Sequence, residues 1–130
     1  RPAAGAVTSG FGYRSFNGGG FHYGVDIAKA GTVPVVAAAD GVVSRSAVSS
    51  SYGNVIYISH SINGQTYTTV YAHLNSRSVG NMEPVSKGQV IGYMGNTGDS
   101  HGQHLHFELY RGGWTASHSN AINPMSMVPM

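Results

Sequence analysis

Residues 104–109 read His-Leu-His-Phe-Glu-Leu, an unbroken alternation of polar and apolar side chains. Successive side chains on a β-strand point to opposite faces, so Leu105, Phe107 and Leu109 bury together while His104, His106 and Glu108 project from the other side. The two imidazoles then stand about 7 Å apart on one face. A lone strand histidine is most often a satisfied core residue. Here the apolar partners already supply the core face, which leaves the pair for chemistry; Glu108 reads as an exposed strand glutamate.

The remaining composition agrees with a sheet protein. A chain of 130 residues fits one domain. Its 19 glycines, eight tyrosines and 9% charged residues favour short strands and tight turns over helices. No apolar run approaches the roughly 20 residues of a membrane-spanning helix, and no basic-then-apolar leader opens the chain. The absence of cysteine excludes disulfides and thiolate metal sites, leaving His, Asp and Glu as the strong ligands. The formal charge of +2 suits an anionic polymer. The seven Lys and Arg are scattered, without the basic-aromatic clusters of nucleic-acid binders, so no nucleic-acid partner is expected.

Along the chain, Gly5–Tyr13 reads as a glycine-interrupted strand entering a loop from Arg14 to Gly20. Strand-like runs follow at Phe21–Ala28 and Val33–Ala39, with a turn at Asp40-Gly41 and a resumed strand at Val42-Val43. The serine-rich piece from Ser44 to Gly53 reads as a loop. Asn63-Gly64 lies between the runs Asn54–His60 and Gln65–His73, a strong hairpin signal. After a polar loop from Asn75 to Pro84, Gly88–Gly95 is another short strand, and a loop from Asn96 to Gln103 leads to the histidine strand. The expected class is mainly β: an antiparallel sheet folded into two sandwich-like layers, with loops walling a groove.

His22 and Asp26 are four apart, but Gly20, Gly24 and Val25 argue against a helix. A straight strand would hold them about 13 Å apart, so sharing an ion requires a bend, for which Gly24 is the place. His22, Asp26 and one strand imidazole match catalytic zinc, with three protein ligands and an open fourth position. Such a site also needs a base and an oxyanion donor. In Tyr67–Leu74 the odd positions share one face while Val70, Ala72 and Leu74 take the other as presumed core. His73 is then turned away from that core, beside the other histidines.

At this point the residues resemble the lysostaphin and LytM-type (beta-lytic) zinc metallopeptidases, which cut peptide bonds of bacterial peptidoglycan. His22-Tyr23-Gly24-Val25-Asp26 is similar to the family's His-x-x-x-Asp motif, His104-Leu105-His106 to its His-x-His motif, and Tyr71-Ala72-His73-Leu74 to the surroundings of its isolated histidine. Framing segments agree from Thr8–Arg14 through Lys87–Gly92 and Gly95–Gly98 to Asn123-Pro124.

The resemblance implies that His22, Asp26 and His106 bind Zn2+ and that His73 and His104 form the catalytic pair. Tyr13 is the counterpart of an upstream tyrosine that some members place beside the reacting carbonyl, and Phe16 occupies another slot for it. From the start at Arg1 without a leader, the expectation is a monomeric catalytic domain over residues 1–130 cut from a longer wall-lytic protein. The domain would act on peptide stems or interpeptide bridges in the cell wall or from a phage virion, outside the cytoplasm. His101, in the loop before the histidine strand, departs from the family pattern. His60 and His118 fit no motif and read as surface residues.

Three other readings compete. Gly98-Asp99-Ser100-His101-Gly102 fits a serine-hydrolase elbow, but that elbow joins a strand to a helix and here precedes a strand. A catalytically inactive wall-binding or regulatory module should have lost site residues, whereas all five positions are filled. A two-His, one-carboxylate iron oxygenase would differ in its metal.

Overall fold

The computed structural model describes residues 1–13 and 20–130. Most of the expected glycine loop, with Phe16, lies outside the described residues. The strands among them are β1 (Ala6–Ser9), β2 (Gly12–Tyr13), β3 (Phe21–His22), β4 (Val25–Ala28), β5 (Pro34–Val36) and β6 (Gly41–Ser49), followed by β7 (Gly53–Ile62), β8 (Gln65–Arg77), β9 (Pro84–Val85), β10 (Val90–Met94), β11 (Leu105–Arg111) and β12 (Ala121–Ile122). A single 3₁₀ turn at Pro124–Ser126 follows, its Asn123 side chain accepting from the Met125 N–H.

One antiparallel sheet runs in the order β1-β4-β11-β8-β7-β6-β9, and β2 with β3 forms a separate pair. Asn63 (φ 52°) and Gly64 (φ 78°) form the two-residue turn that pairs Ile62 with Gln65. Both take the left-handed conformation that an Asn-Gly hairpin supplies at low cost. The long strand β8 pairs with β11 along its first half, while its end, Leu74–Arg77, pairs with β10, which in turn pairs with β5. The two expected layers are thus parts of one continuous sheet. Val33, Val35, Ile91 and Met94 close over Val25, Ile27, Ile56, Ile58, Leu105 and Phe107 to make the main core.

The serine-rich segment expected as a loop is instead β6, paired with β7 from Val42↔Ser59 to Ser49↔Gly53. Its serines sit on a half-exposed strand, where a paired neighbour outweighs their weak strand preference.

The opposite face of the sheet is covered too. Val55, Val70, Ala72 and Tyr110 form a second buried cluster with Tyr52, Tyr57, Ala47 and Ala121 packed against it. Glu108, on this face, is only 2% exposed, which corrects its reading as an exposed strand residue.

Candidate metal centre and active site

The chain bends between β3 and β4, at Tyr23-Gly24, and so brings His22 beside Asp26: His22 Nε2 lies 3.4 Å from Asp26 Oδ1. Gly24 has no room for a side chain. A Cβ there would sit 2.5 Å from the Phe107 carbonyl oxygen and 2.8 Å from the His106 ring. β4 pairs with β11 so that Asp26 stands opposite His106, whose Nδ1 is 2.9 Å from Asp26 Oδ1 and 3.3 Å from His22 Nε2. These three atoms form a triangle open to a cavity of about 500 Å3. Tetrahedral ligands about 2.0–2.1 Å from zinc lie roughly 3.3 Å apart, so the donor set fits that ion.

His73 reaches the cavity by a route that alternation does not describe. In β8, Val70 and Ala72 share the face of Glu108 and His106, while Tyr71 sits in the main core opposite Phe107. The presumed core face of β8 was therefore reversed, and simple alternation would bury His73. A β-bulge intervenes: Asn54 pairs with Leu74 and Ile56 with Tyr71, so β8 carries one extra residue. His73 takes up that residue in the left-handed region, at φ 60°, and its N–H donates to the Tyr52 carbonyl at 2.7 Å. The bulge turns His73 toward the site and returns Leu74 to the core.

The outer nitrogen of each of the four imidazoles is engaged. His22 Nδ1–H donates to the Gly10 carbonyl at 2.9 Å, His73 Nδ1–H to Thr97 O at 2.8 Å and His104 Nδ1–H to Gly102 O at 2.8 Å. His106 Nε2–H donates to Glu108 Oε2 at 2.8 Å. A carbonyl or carboxylate oxygen only accepts, so these partners fix the proton on the outer nitrogen and leave the inner one bare in the neutral ring. The His73 and His104 rings lie 4.9 Å apart, and His104 Nε2 is 3.9 Å from Asp26 Oδ1.

The electrostatics follow from this arrangement. Burial opposes ionisation of Asp26, yet hydrogen bonds from His106 and His22 outweigh it and hold the carboxyl well below the usual carboxylate range. Burial likewise opposes charge on His106, but Asp26 and Glu108 on either side push its pKa up to about 9. The two carboxylates thus favour positive charge on the ring between them, and a metal ion at Nδ1 would take the place of that proton. Burial lowers the pKa of His73, which keeps it neutral.

Tyr52 escaped the sequence reading, and Glu108 was placed on the right face but read as exposed, with a supporting role behind the ligands only if the sheet curved. Glu108 also accepts from the hydroxyls of Tyr52, at 2.7 and 2.8 Å, and Tyr110, at 2.6 Å. Burial and the neighbouring carboxylate raise the pKa of both phenols, so they remain donors. The placement of Glu108, two residues beyond His106 on the same face, was a usable signal; nothing in the spacing pointed to Tyr52, which comes from β6–β7. Its ring stacks on His106 with centroids 6.1 Å apart.

Tyr13 lies apart from the cavity lining, 86% exposed, with its ring edge-on to Phe21 at 4.9 Å. His101 is exposed on the cavity wall. His118 is half-buried rather than on the open surface: its Nδ1 meets the Tyr110 hydroxyl at 2.5 Å and its ring stacks on Tyr23. His60 is also no surface residue, being 2% exposed between the Asp40 carbonyl and the Thr69 hydroxyl. Ser100 Oγ is 3.3 Å from His104 Nδ1, but that nitrogen already serves Gly102, and a strand follows where the elbow needs a helix.

Comparison with known proteins places this geometry. Peptidoglycan DD-endopeptidase ShyC of Vibrio cholerae is 47% identical over 89 residues, covering 68% of this chain and 20% of ShyC. The chain spans about a fifth to a quarter of the length of the curated relatives it matches, 20% of ShyC and 26% of the Neisseria meningitidis DD-carboxypeptidase/endopeptidase Mpg. The catalytic domain of lysostaphin from Staphylococcus simulans superposes with a TM-score of 0.80 at 33% identity, covering 93% of this chain and 90% of that one. A zinc-containing peptidase from Vibrio cholerae gives 0.78 at 32% identity, covering 93% and 36%. Residues 20–124 match the profile of Peptidase family M23, and the chain belongs to that family.

Proposed function

We propose that this domain is a zinc-dependent endopeptidase that hydrolyses peptide cross-links of bacterial peptidoglycan outside the cytoplasm. The observation that carries the reading is the set of four imidazoles, each anchored through its outer nitrogen, at one cavity: the inner nitrogens of His22, His104 and His106 lie within 3.9 Å of Asp26 Oδ1, and the His73 ring lies 4.9 Å from that of His104. ShyC is named a peptidoglycan DD-endopeptidase and Mpg a DD-carboxypeptidase/endopeptidase, which favours the direct D-alanine to diaminopimelate cross-link over a glycine bridge as the substrate.

His22 Nε2, Asp26 Oδ1 and His106 Nδ1 are the atoms that would hold the zinc. When bound there, zinc supplies a Lewis acid that acidifies water and polarises the scissile carbonyl. His73 Nε2, bare and kept neutral by burial, accepts the proton of the attacking water and returns it to the leaving amine. His104 presents its Nε2 to the same space, 3.9 Å from Asp26 Oδ1, where it stabilises the developing oxyanion. Glu108 holds the His106 ring in orientation, and the cavity walls align an extended peptide.

Digestion of two purified peptidoglycans, one directly cross-linked and one glycine-bridged, followed by mass spectrometry of the new ends, tests the proposal. New diaminopimelate amines from the first, abolished by a chelator and restored by zinc, are expected. Undiminished cleavage with all metal removed would overturn it.

A further inference from the structure

A second cavity, of about 220 Å3, lies on the metal-centre face of the sheet. Arg45 of β6 pairs with Tyr57, Tyr57 with Val70, and Val70 with Glu108, so Arg45 and Glu108 belong to one row across four strands. At the usual strand spacing that row is about 14 Å long. A bulge in β6 sets Arg45 in this row: Val43 pairs with Ile58 but Arg45 with Tyr57, so Ser44 is the extra residue. Without it, alternation would send Arg45 to the core side with Val43.

The cavity has an apolar floor of Ala47 and Val55 and aromatic walls of Tyr52, Tyr57 and Trp114. Trp114 meets Tyr57 at 74° and Tyr52 at 69°, forming a corner rather than a flat platform. Arg45 completes the rim, and no carboxylate pairs with it among the described residues. Ser51 and Tyr52 line both this cavity and the metal-centre cavity, so the two adjoin across these residues.

We propose that this cavity is a specificity subsite for a carboxylate on an aliphatic side arm of the same peptide whose cross-link lies over the metal centre. It rests on the endopeptidase reading above. The alkyl arm lies on Ala47 and Val55 within the aromatic corner, and the Arg45 fork takes the carboxylate in two parallel hydrogen bonds. The row of about 14 Å corresponds to about four extended residues, which places this carboxylate within one stem peptide of the bond being cut. Trp114 and Arg45 come from different parts of the chain, so the subsite depends on both the β6 bulge and the segment after β11.

Trp114 is the one tryptophan of the chain, and its emission reports occupancy without turnover. The probes are a stem tetrapeptide with free side-chain carboxylates and the same peptide amidated. The free form is expected to shift the emission and bind about tenfold tighter than the amidated form, a preference erased in Arg45→Ala and partly restored in Arg45→Lys. With cross-linked versions of the two peptides as substrates, Arg45→Ala should raise KM for the free form about tenfold and leave kcat, and cleavage of the amidated form, unchanged. Equal binding of the two peptides by the unaltered protein, or a preference that survives Arg45→Ala, overturns the proposal. So does an emission shift that requires an attached sugar and ignores the carboxylates, which would make the corner a glycan platform. Arg45-dependent binding in a protein that cleaves neither substrate defeats the endopeptidase reading and leaves the subsite standing.

Discussion

His106 Nε2 and Glu108 Oε2 lie 2.8 Å apart, two residues along one strand, and this bond settles which nitrogen of His106 faces Asp26. Glu108 is itself held by the Tyr52 and Tyr110 hydroxyls, so the ring is braced from the protein interior. Replacing Glu108 with Gln removes one of the two acceptor oxygens and puts an amide donor among three donors. Zinc affinity should fall about 10–100-fold, read by competition with a chelator, with the fold retained. Glu108→Ala should also lower stability by about 1–3 kcal/mol for each hydroxyl or ring N–H left unpaired in the interior. Unchanged zinc affinity in both variants would remove Glu108 from this role.

Gly24 is fixed by lack of space rather than by backbone torsion. An added Cβ meets the Phe107 carbonyl oxygen at 2.5 Å, so β4 and β11 must separate to admit it. Gly24→Ala should cost about 1–3 kcal/mol of stability by overpacking. Because the same movement separates Asp26 from His106, metal affinity should fall with it. Thermal melts with and without zinc check both effects, and a larger stabilisation by zinc than in the unaltered protein would contradict the second.

His73→Ala should keep the metal and lose turnover by about 10²–10⁴-fold, since the ligand triangle does not include it. With His73 as the proposed base, the neutral ring is the active form, and burial places its pKa below the ordinary histidine value. Activity is therefore retained as the pH falls to about 6.5 and is lost below it, as His73 protonates. A profile of kcat/KM against pH, taken at saturating zinc, measures that acid limb.

His60 carries a separate pH dependence, of stability. Burial depresses its pKa in the folded state, so below about pH 6.5 the unfolded chain binds a proton that the folded chain refuses. Its contribution is present above that pH, is lost as the pH falls, and levels off once the folded ring protonates. Denaturant melts between pH 4 and 8, a range of about four units around that value, should show this slope, and His60→Gln should flatten it.

The histidine strand and the Asn63-Gly64 hairpin were legible because each depends on local periodicity or turn chemistry. The bend at Gly24 was legible in part: the sequence demanded it if His22 and Asp26 met, but the crowding by Phe107 that makes glycine obligatory comes from a strand eighty residues on. His73 does face the other histidines, as the sequence reading had it, but for another reason: alternation took Val70 and Ala72 as the core face where Tyr71 is in the core, and the bulge that turns His73 back belongs to two paired strands and leaves little mark on one. Glu108, His60 and His118 were read as exposed for a related reason. Their burial depends on the second cluster around Val70 and Tyr110, and on Asp40 and Tyr23, which are brought near only by the folded sheet. β6 shows the same limit, since its serines become a strand through β7.

The extra residue at position 73 shifts the numbering parity of β8. Upstream of it even-numbered side chains face the cleft, and immediately downstream Leu74, also even, faces the core. Loss of one residue from this stretch would exchange those destinations, sending either an imidazole into hydrocarbon or a leucine into the cleft. Registration of β7 on β8 therefore acts as a checkpoint: a chain that pairs these strands one step out of phase has both a disturbed interior and no imidazole from position 73 in the cleft. The packing of the interior and the direction of the His73 side chain are in this way tied to a single bulge.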